Sequence, residues 1–248
     1  MSGIALITGG SRGIGAATAH RLAAQGFALC LNYRINIEVA EALAAQLRNK
    51  GARVLLVQAD IAVESEVHSL FQTIDAQLGP ITALVNNAAI LMKQSVVKDL
   101  DADRIKRIFN TNVVGSFLCC KEAVLRMSTS SGGRGGAIVN VSSVAARTGS
   151  PNEYVDYAAS KAAIDALTRG LSVEVANEGI RVNAVRPGFI YTDMHADGGE
   201  PNRVERLKSR IPLQRGGTPE EVANAIAWLL SDESSYVTGT TVDIAGGV

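Results

Sequence analysis

Ile4-Ala-Leu-Ile-Thr-Gly-Gly-Ser-Arg-Gly-Ile-Gly15 is the segment from which the architecture of this chain can be read. Ile4 to Thr8 is a short apolar run of strand length that ends in glycines, and a helical pattern follows over residues 14–25. Strand, glycine turn and helix thus follow in immediate succession. Glycines at 9, 13 and 15 let the backbone turn tightly and approach a pyrophosphate. Such a group would rest on the helix N-terminus, where unpaired amides point outward. The spacing is Gly-x3-Gly-x-Gly and not the familiar Gly-x-Gly-x-x-Gly. Its place after the first strand and before the first helix is what argues for cofactor binding.

The same alternation continues outward from that turn. Short apolar runs at 28–33, 54–59 and 81–86 are separated by helix-length stretches at 37–50 and 64–78. A helix over 102–127, a strand at 137–143, a helix carrying Tyr157 and Lys161, and a strand at 180–186 come next. A helix at 219–231 and a strand at 240–244 complete the pattern. Short apolar strands alternating with helices of 12–15 residues predict an α/β chain of βαβ units around a parallel sheet. No repeat or low-complexity linker interrupts it, so residues 1–248 are read as a single dinucleotide-binding and catalytic domain. Residues 189–212 form the longest poorly periodic piece, and a loop of that length in a compact domain is usually functional, often a lid.

Composition narrows the function. Lysine and arginine balance aspartate and glutamate at 24 each, without any block of like charge, which argues against a nucleic-acid or membrane-surface partner. No apolar run approaches the roughly 18 residues of a membrane span, and the first residues lack the basic and apolar regions of a leader. A cytoplasmic location is expected. Cys30, Cys119 and Cys120 have neither disulfide-framework nor metal spacing and read as small buried residues in a reducing compartment. No metal site is expected.

Chemistry gathers where strands end. An NAD site would place an acid about 20 residues past the glycine turn to hold the ribose 2′-hydroxyl. This chain instead reads Asn32-Tyr33-Arg34, with the first acid at Glu38. Arg34 and Arg12 are two cations suited to a 2′-phosphate, which favours NADP(H) over NAD(H). Asp60 closes the third strand as either an adenine contact or a helix cap. Asn86-Asn-Ala-Ala89 closes the fourth, and the side-chain amides of Asn86 and Asn87 could stabilise the sheet edge, touch the cofactor, or both. Ser142 and Ser143 end the next strand, where a hydroxyl can donate to a carbonyl oxygen as negative charge develops. Scattered histidines at 20, 68 and 195 make Ser–His–Asp hydrolysis an unsuitable reading. Tyr157 and Lys161 lie four residues apart on one helix, roughly 6 Å along its axis. The ammonium is expected to pull the phenol down from its usual pKa of about 10, with help from a cofactor charge.

Taken together, Thr8-Gly-Gly-Ser-Arg-Gly-Ile-Gly15, Asp60, Asn86-Asn-Ala-Ala89, Asn112, Ser143, Tyr157-x3-Lys161 and Arg186-Pro-Gly-Phe-Ile-Tyr-Thr192 resemble a short-chain dehydrogenase/reductase over essentially the whole chain. The resemblance implies a Rossmann-type, doubly wound, seven-stranded parallel sheet with helices on both faces. It implies Tyr157 as general acid or base, Lys161 lowering the tyrosine pKa and bonding the nicotinamide ribose, and Ser143, in preference to Ser142, holding the substrate oxygen. Asn112 would support a water-linked proton relay to Lys161. Cofactor contacts would come from Gly9, Ser11, Arg12, Gly13, Ile14, Gly15, Arg34, Asp60, Ile61, Asn86, Ala88, Tyr157, Lys161, Pro187, Gly188, Ile190 and Thr192.

The implied activity transfers a hydride between NADP(H) and a small-molecule carbonyl or secondary alcohol. Overall similarity leans toward 3-oxoacyl carrier-protein reductases and glucose dehydrogenases, with a catalytically silent NADP(H)-binding regulator as the remote alternative. Arg134 in a loop expected near the site, opposed by Glu178, offers an acidic carrier protein little basic surface. The final strand resembles one that commonly contributes to a homotetramer. One departure is Ala89, where the family usually has glycine; a positive φ there would cost about 1 kcal/mol.

Overall fold

The structure, a computed structural model, describes residues 3–248. Its elements in chain order are β1 (Ile4–Ile7), α1 (Gly13–Ala24), β2 (Ala28–Tyr33), α2 (Ile37–Asn49), β3 (Val54–Gln58), α3 (Glu64–Gln77) and β4 (Ala83–Asn86). Then follow α4 (Ala102–Phe109), α5 (Gly115–Met127), β5 (Gly136–Val141), α6 (Ala145–Thr148), α7 (Val155–Glu174) and β6 (Ile180–Pro187). The last are α8 (Met194–Asp197), α9 (Arg203–Leu207), α10 (Pro219–Leu230) and β7 (Thr241–Ile244). The strands form one parallel seven-stranded sheet in the order β3-β2-β1-β4-β5-β6-β7.

Alternation along the strands divides the core into two layers. Ala5 and Ile7 of β1 face α1, α2 and α10, where they meet Leu22, Leu47 and Ile226. Leu6 faces the other way, toward Phe71 of α3, Cys119 and Met127 of α5 and Ile164 of α7. The central strands are buried on both faces, which is why their sequences read as continuous apolar runs. All three cysteines are buried, and burial raises their thiol pKa values, to about 12 at Cys120. The strand order reverses between β2-β1 and β1-β4, and the crevice outside the carboxyl ends at such a reversal is where open α/β sheets bind ligands.

Two expectations change. The predicted helix over 102–127 is broken by one π-helical turn, Asn110–Val114. That turn carries Asn112 inward: its side-chain nitrogen donates to the Ile90 carbonyl (3.1 Å) and to Ser160 Oγ (3.1 Å), and its oxygen accepts from the Ile90 amide (2.8 Å). A π turn at a functional position is a common device. Within residues 189–212 the chain forms α8, α9 and a 3₁₀ turn, Lys208–Arg210. Helices of four and five residues are too short to show a period in the sequence.

Candidate active site

Two adjoining cavities occupy the carboxyl edge of the sheet and share Ile14, Asn87, Ala89, Thr192 and Met194 as walls. The larger, about 300 Å³, runs over the glycine turn between β1 and α1. Arg12 precedes α1 without a side-chain cap, and no acid lies in the first turn, so the first amides of the helix are free for an anion. Gly13 adopts φ +51°, and a Cβ there would stand 3.2 Å from the Thr192 methyl, closing the slot between the turn and the loop after β6. A Cβ on Gly15 would stand 2.5 Å from the Gly9 carbonyl oxygen, so only glycine lets α1 start this close to the turn. A slot kept open at the head of a helix, with uncapped amides beside it, fits a dinucleotide pyrophosphate.

Gly9, Ser11, Arg12, Gly13, Ile14, Arg34, Asp60, Ile61 and Ala88 all line this cleft. Arg12 and Arg34 are half-exposed; they lie 3.8 Å from Asp197 and 3.5 Å from Asp60 respectively. Asp60 does not cap α3, whose N-cap is Val63; its carboxylate accepts from the Ala62 amide (2.9 Å) in the turn ahead of the helix. Asn86 is the clearest departure. Its amide is buried and donates to Asn140 Oδ1 at 2.9 Å, while Asn87 lines both cavities. Asn86 pairs with Asn140 in the β4–β5 register, and that pairing turns its side chain into the sheet interior.

The bracing roles of Thr8 and Asn32 escaped the sequence reading, whereas that of Asn87 is one of the two roles it left open for the asparagine pair. Asn87 Nδ2 donates to the Thr8 and Gly9 carbonyls, both at 3.0 Å, and the Asn87 and Ala88 amides donate to Thr8 Oγ1. Asn32 donates to the Ala59 carbonyl at 3.0 Å and accepts from the Gly9 amide. These amides brace the glycine turn. Polar residues packed at strand ends beside it were the available signal.

The second cavity, about 140 Å³, is lined by Ser143, Tyr157 and Lys161, with Pro187, Gly188 and Ile190. The α7 helix places Tyr157 and Lys161 on one face, with the ammonium 5.6 Å from the phenol ring centroid. Lys161 Nζ donates to the Val141 carbonyl at 2.8 Å. Ser142 donates to the Lys161 carbonyl, so its hydroxyl serves the β5–α7 packing. Ser143 Oγ accepts from the Ala145 amide at 3.1 Å and shares the cavity wall with Tyr157. The Asp156 carboxylate accepts from the Tyr157 amide (2.9 Å) and from Arg104 Nε (2.6 Å), anchoring the start of α7. Asn112 reaches Ser160 and Ile90 and makes no bond to Lys161 among the described residues.

Burial works against the lowering expected from the lysine and a cofactor charge together. Burial pushes Tyr157 up to about 12, opposed by Ser143, and burial pushes Lys161 down to about 8, opposed by Asp165 one turn along. Desolvation dominates both groups. A proton stays on the phenol.

The 189–212 segment supplies Phe189, Ile190, Met194 and Arg203 to the wall of this cavity. Tyr154 is the N-cap of α7, and its hydroxyl donates to the Gly198 carbonyl at 3.2 Å. Arg203 is buried over the rings of Tyr154 (5.0 Å) and Phe189 (5.5 Å) and bonds Glu153. Glu200 meets Arg203 at 3.2 Å, Arg206, and Gln94 at 2.8 Å. Arg134 and Glu178 lie elsewhere. Arg134 shares a groove with Gly3, Thr82 and Gly179 at the amino edge of the sheet, and Glu178 falls in the turn just before β6 at that same edge. Neither bears on docking at the site. Ala89 is not among the residues with positive φ, so the strain considered for it does not arise.

Comparison with known proteins agrees with this geometry. A family model described as "Enoyl-(Acyl carrier protein) reductase" matches residues 9–248. The chain is 61% identical to "Uncharacterized oxidoreductase YgfF" of Escherichia coli (strain K12), over 98% of this chain and 99% of that one. It is 37% identical to "3-oxoacyl-[acyl-carrier-protein] reductase FabG" of Staphylococcus aureus (strain Mu50 / ATCC 700699), over 100% and 98%. Among solved structures, a short-chain dehydrogenase/reductase from Serratia marcescens superposes with a TM-score of 0.90 at 31% identity, covering 99% of this chain and 97% of that one. A blue fluorescent protein from a metagenomic library, in complex with NADPH, does so with a TM-score of 0.90 at 35% identity and the same coverage. Sheet order, glycine turn and full-length similarity point the same way: the chain belongs to the short-chain dehydrogenase/reductase family of oxidoreductases.

Proposed function

We propose that this oxidoreductase uses NADP(H), in preference to NAD(H), to interconvert a small carbonyl compound and its secondary alcohol. The convergence of Tyr157, Ser143 and Lys161 on a cavity that adjoins the glycine-lined cleft carries the reading. The bound nicotinamide supplies or accepts the hydride. The free amides of α1 and the turn from Gly9 to Gly15, with Ser11, hold the pyrophosphate, and Arg12 and Arg34 take the 2′-phosphate. Asp60, Ile61 and Ala88 flank the adenine end, with Asn86 acting through the strand it braces. Pro187, Gly188, Ile190 and Thr192 border the nicotinamide end.

In the reductive direction Tyr157 donates its phenolic proton to the substrate oxygen, and Ser143 donates a hydrogen bond to that oxygen as negative charge develops on it. A phenol raised by burial holds its proton until the substrate oxygen becomes basic. Lys161, fixed to Val141, then stabilises the phenolate left behind and holds the ribose. Asn112 keeps Ile90 and Ser160 in place beside the path by which Lys161 regains a proton. NADPH oxidation over a panel of ketones tests this, and a Tyr157→Phe variant with undiminished turnover would sink it. Tight NADPH binding without turnover of any substrate would favour the silent regulator.

Full-length similarity to a 3-oxoacyl carrier-protein reductase favours an acyl thioester as second reading. Acetoacetyl thioester reduction against glucose oxidation separates that reading from a sugar dehydrogenase. We place the protein in the cytoplasm as a homotetramer. Exposed Phe117 and Leu125 on α5 and Val173 on α7 support self-association, and light scattering should return four times the 26.0 kDa chain mass. No helix of the described residues is long and apolar enough to cross a membrane.

A further inference from the structure

Tyr157, Lys161 and Asp165 follow one another at four-residue spacing on α7, so their side chains share one face of the helix. The proposed chemistry uses only the first two. Lys161 is buried, and its ammonium donates to the uncharged Val141 carbonyl. Burial favours loss of its proton, and Asp165, one turn along, is the anion that opposes this through space.

Asp165 is itself held from the sheet side. Arg186 on β6 brings two nitrogens to Asp165 Oδ2, Nε at 3.0 Å and Nη2 at 2.9 Å. The β6–β7 register sets Asp243 opposite Arg186, whose Nη1 reaches Asp243 Oδ1 at 3.5 Å. Arg147 of α6 meets the other Asp243 oxygen at 3.2 Å. Charges therefore alternate through Lys161, Asp165, Arg186, Asp243 and Arg147. Asp165 Oδ1 is buried and has no hydrogen-bond partner among the described residues. A buried carboxylate oxygen left without a donor costs stability and calls for a functional reason.

The other charged or titratable groups around α7 are engaged elsewhere. Arg104 of α4 binds Asp156, and Arg203 binds Glu153 and Glu200. Arg181, at the start of β6, donates to the Leu229 and Ser231 carbonyls, and Glu178 lies just before that strand. Burial holds His195 below its ordinary pKa. β5 and the π-helical turn bring no charged side chain.

We propose that Asp165 is a positioning residue: clamped by Arg186, its carboxylate keeps the Lys161 ammonium charged at neutral pH, ready to stabilise the Tyr157 phenolate. This rests on the oxidoreductase reading for its effect on turnover, whereas the charge of Lys161 can be measured without a substrate.

The test enriches the lysine Cε carbons with carbon-13 and follows their resonances against pH in the enzyme, the Lys161 signal being the one missing from Lys161→Met. In the parent it should titrate near pH 8. Asp165→Asn and Asp165→Ser, which remove the charge, should lower that midpoint by about 1 pH unit, and Asp165→Glu, which keeps a carboxylate, should recover most of it. With NADPH and a ketone the parent reduces, the alkaline limb of kcat/KM should move down in step. Turnover by the Asn and Ser variants should then fall about fivefold at pH 8 and by less at pH 6. Thermal melting reports folding. A parent midpoint below pH 7 overturns the inference, and so does an unmoved midpoint in whichever of the Asn and Ser variants folds. Turnover lost equally at pH 6 and pH 8 marks a merely structural role and overturns it too. A midpoint that moves as expected, in an enzyme that binds NADPH and turns over no ketone, leaves this inference standing and overturns the proposed function alone.

Discussion

The two cavities at the carboxyl edge are built by opposite means. The dinucleotide cleft is mostly backbone: a turn of consecutive residues, the free amides of α1, and glycines whose missing side chains are the working feature. The smaller cavity, which we propose for the substrate, is mostly side chain, assembled from Ser143 after β5, Tyr157 and Lys161 on α7, and Phe189, His195 and Arg203 of the 189–212 segment. A backbone site should tolerate changes of side-chain chemistry and fail when a Cβ is added. A side-chain site should do the reverse.

Four experiments set the contrast to work, in descending order of effect. Tyr157→Phe should lower kcat by about 10²–10⁴-fold while NADPH still binds, because only the proton donor is removed; stopped-flow turnover and fluorescence titration read the two separately. Gly15→Val should weaken NADPH binding by roughly 30-fold and lower the melting temperature, since its Cβ would stand 2.5 Å from the Gly9 carbonyl oxygen and crowding of that kind costs about 1–3 kcal/mol. Arg34→Ala should raise the KM for NADPH by about tenfold and leave that for NADH nearly unchanged, as expected for loss of one charge-assisted contact at a half-exposed site. Equal losses with both cofactors would remove the argument for a 2′-phosphate site.

The smallest effect belongs to the lid. Bonds from Arg206 and Arg203 hold the Glu200 carboxyl down to about 2, below its ordinary value of about 4.3. A depressed carboxylate contributes stability above its ordinary pKa and loses it as pH falls toward the folded value. Proteolysis within 189–212 should therefore accelerate between about pH 4 and pH 2. Glu200→Gln should flatten part of that dependence and cost about 1 kcal/mol or less at neutral pH. It should raise the KM for the carbonyl substrate more than that for NADPH. A uniform rise in both would mean that the ion cluster supports the whole edge and not the lid alone.

The same contrast explains what could be read in advance. The order of strands and helices and the place of the glycine turn were legible because each depends on neighbours in sequence. Period, turn chemistry and helix starts are local, and the helix expected from Pro219 onward is found as α10. The Tyr157–Lys161 pair was legible for the same reason, four residues being one helical turn.

What stayed hidden depends on neighbours in space. Adjacent asparagines at 86 and 87 are indistinguishable in the chain, and only the Asn86–Asn140 register turns one inward and leaves the other at the cleft. Arg134 was expected beside the site because α5 and β5 flank it, yet a loop entering a parallel strand lies at the far edge. The phenol was expected to be lowered by its lysine together with a cofactor charge, and the burial that opposes this was not legible, because desolvation counts every surrounding atom and not one partner. Local order follows from the covalent neighbours of each residue, whereas charge state, side-chain direction and the placement of residues 189–212 follow from packing among residues far apart in the chain.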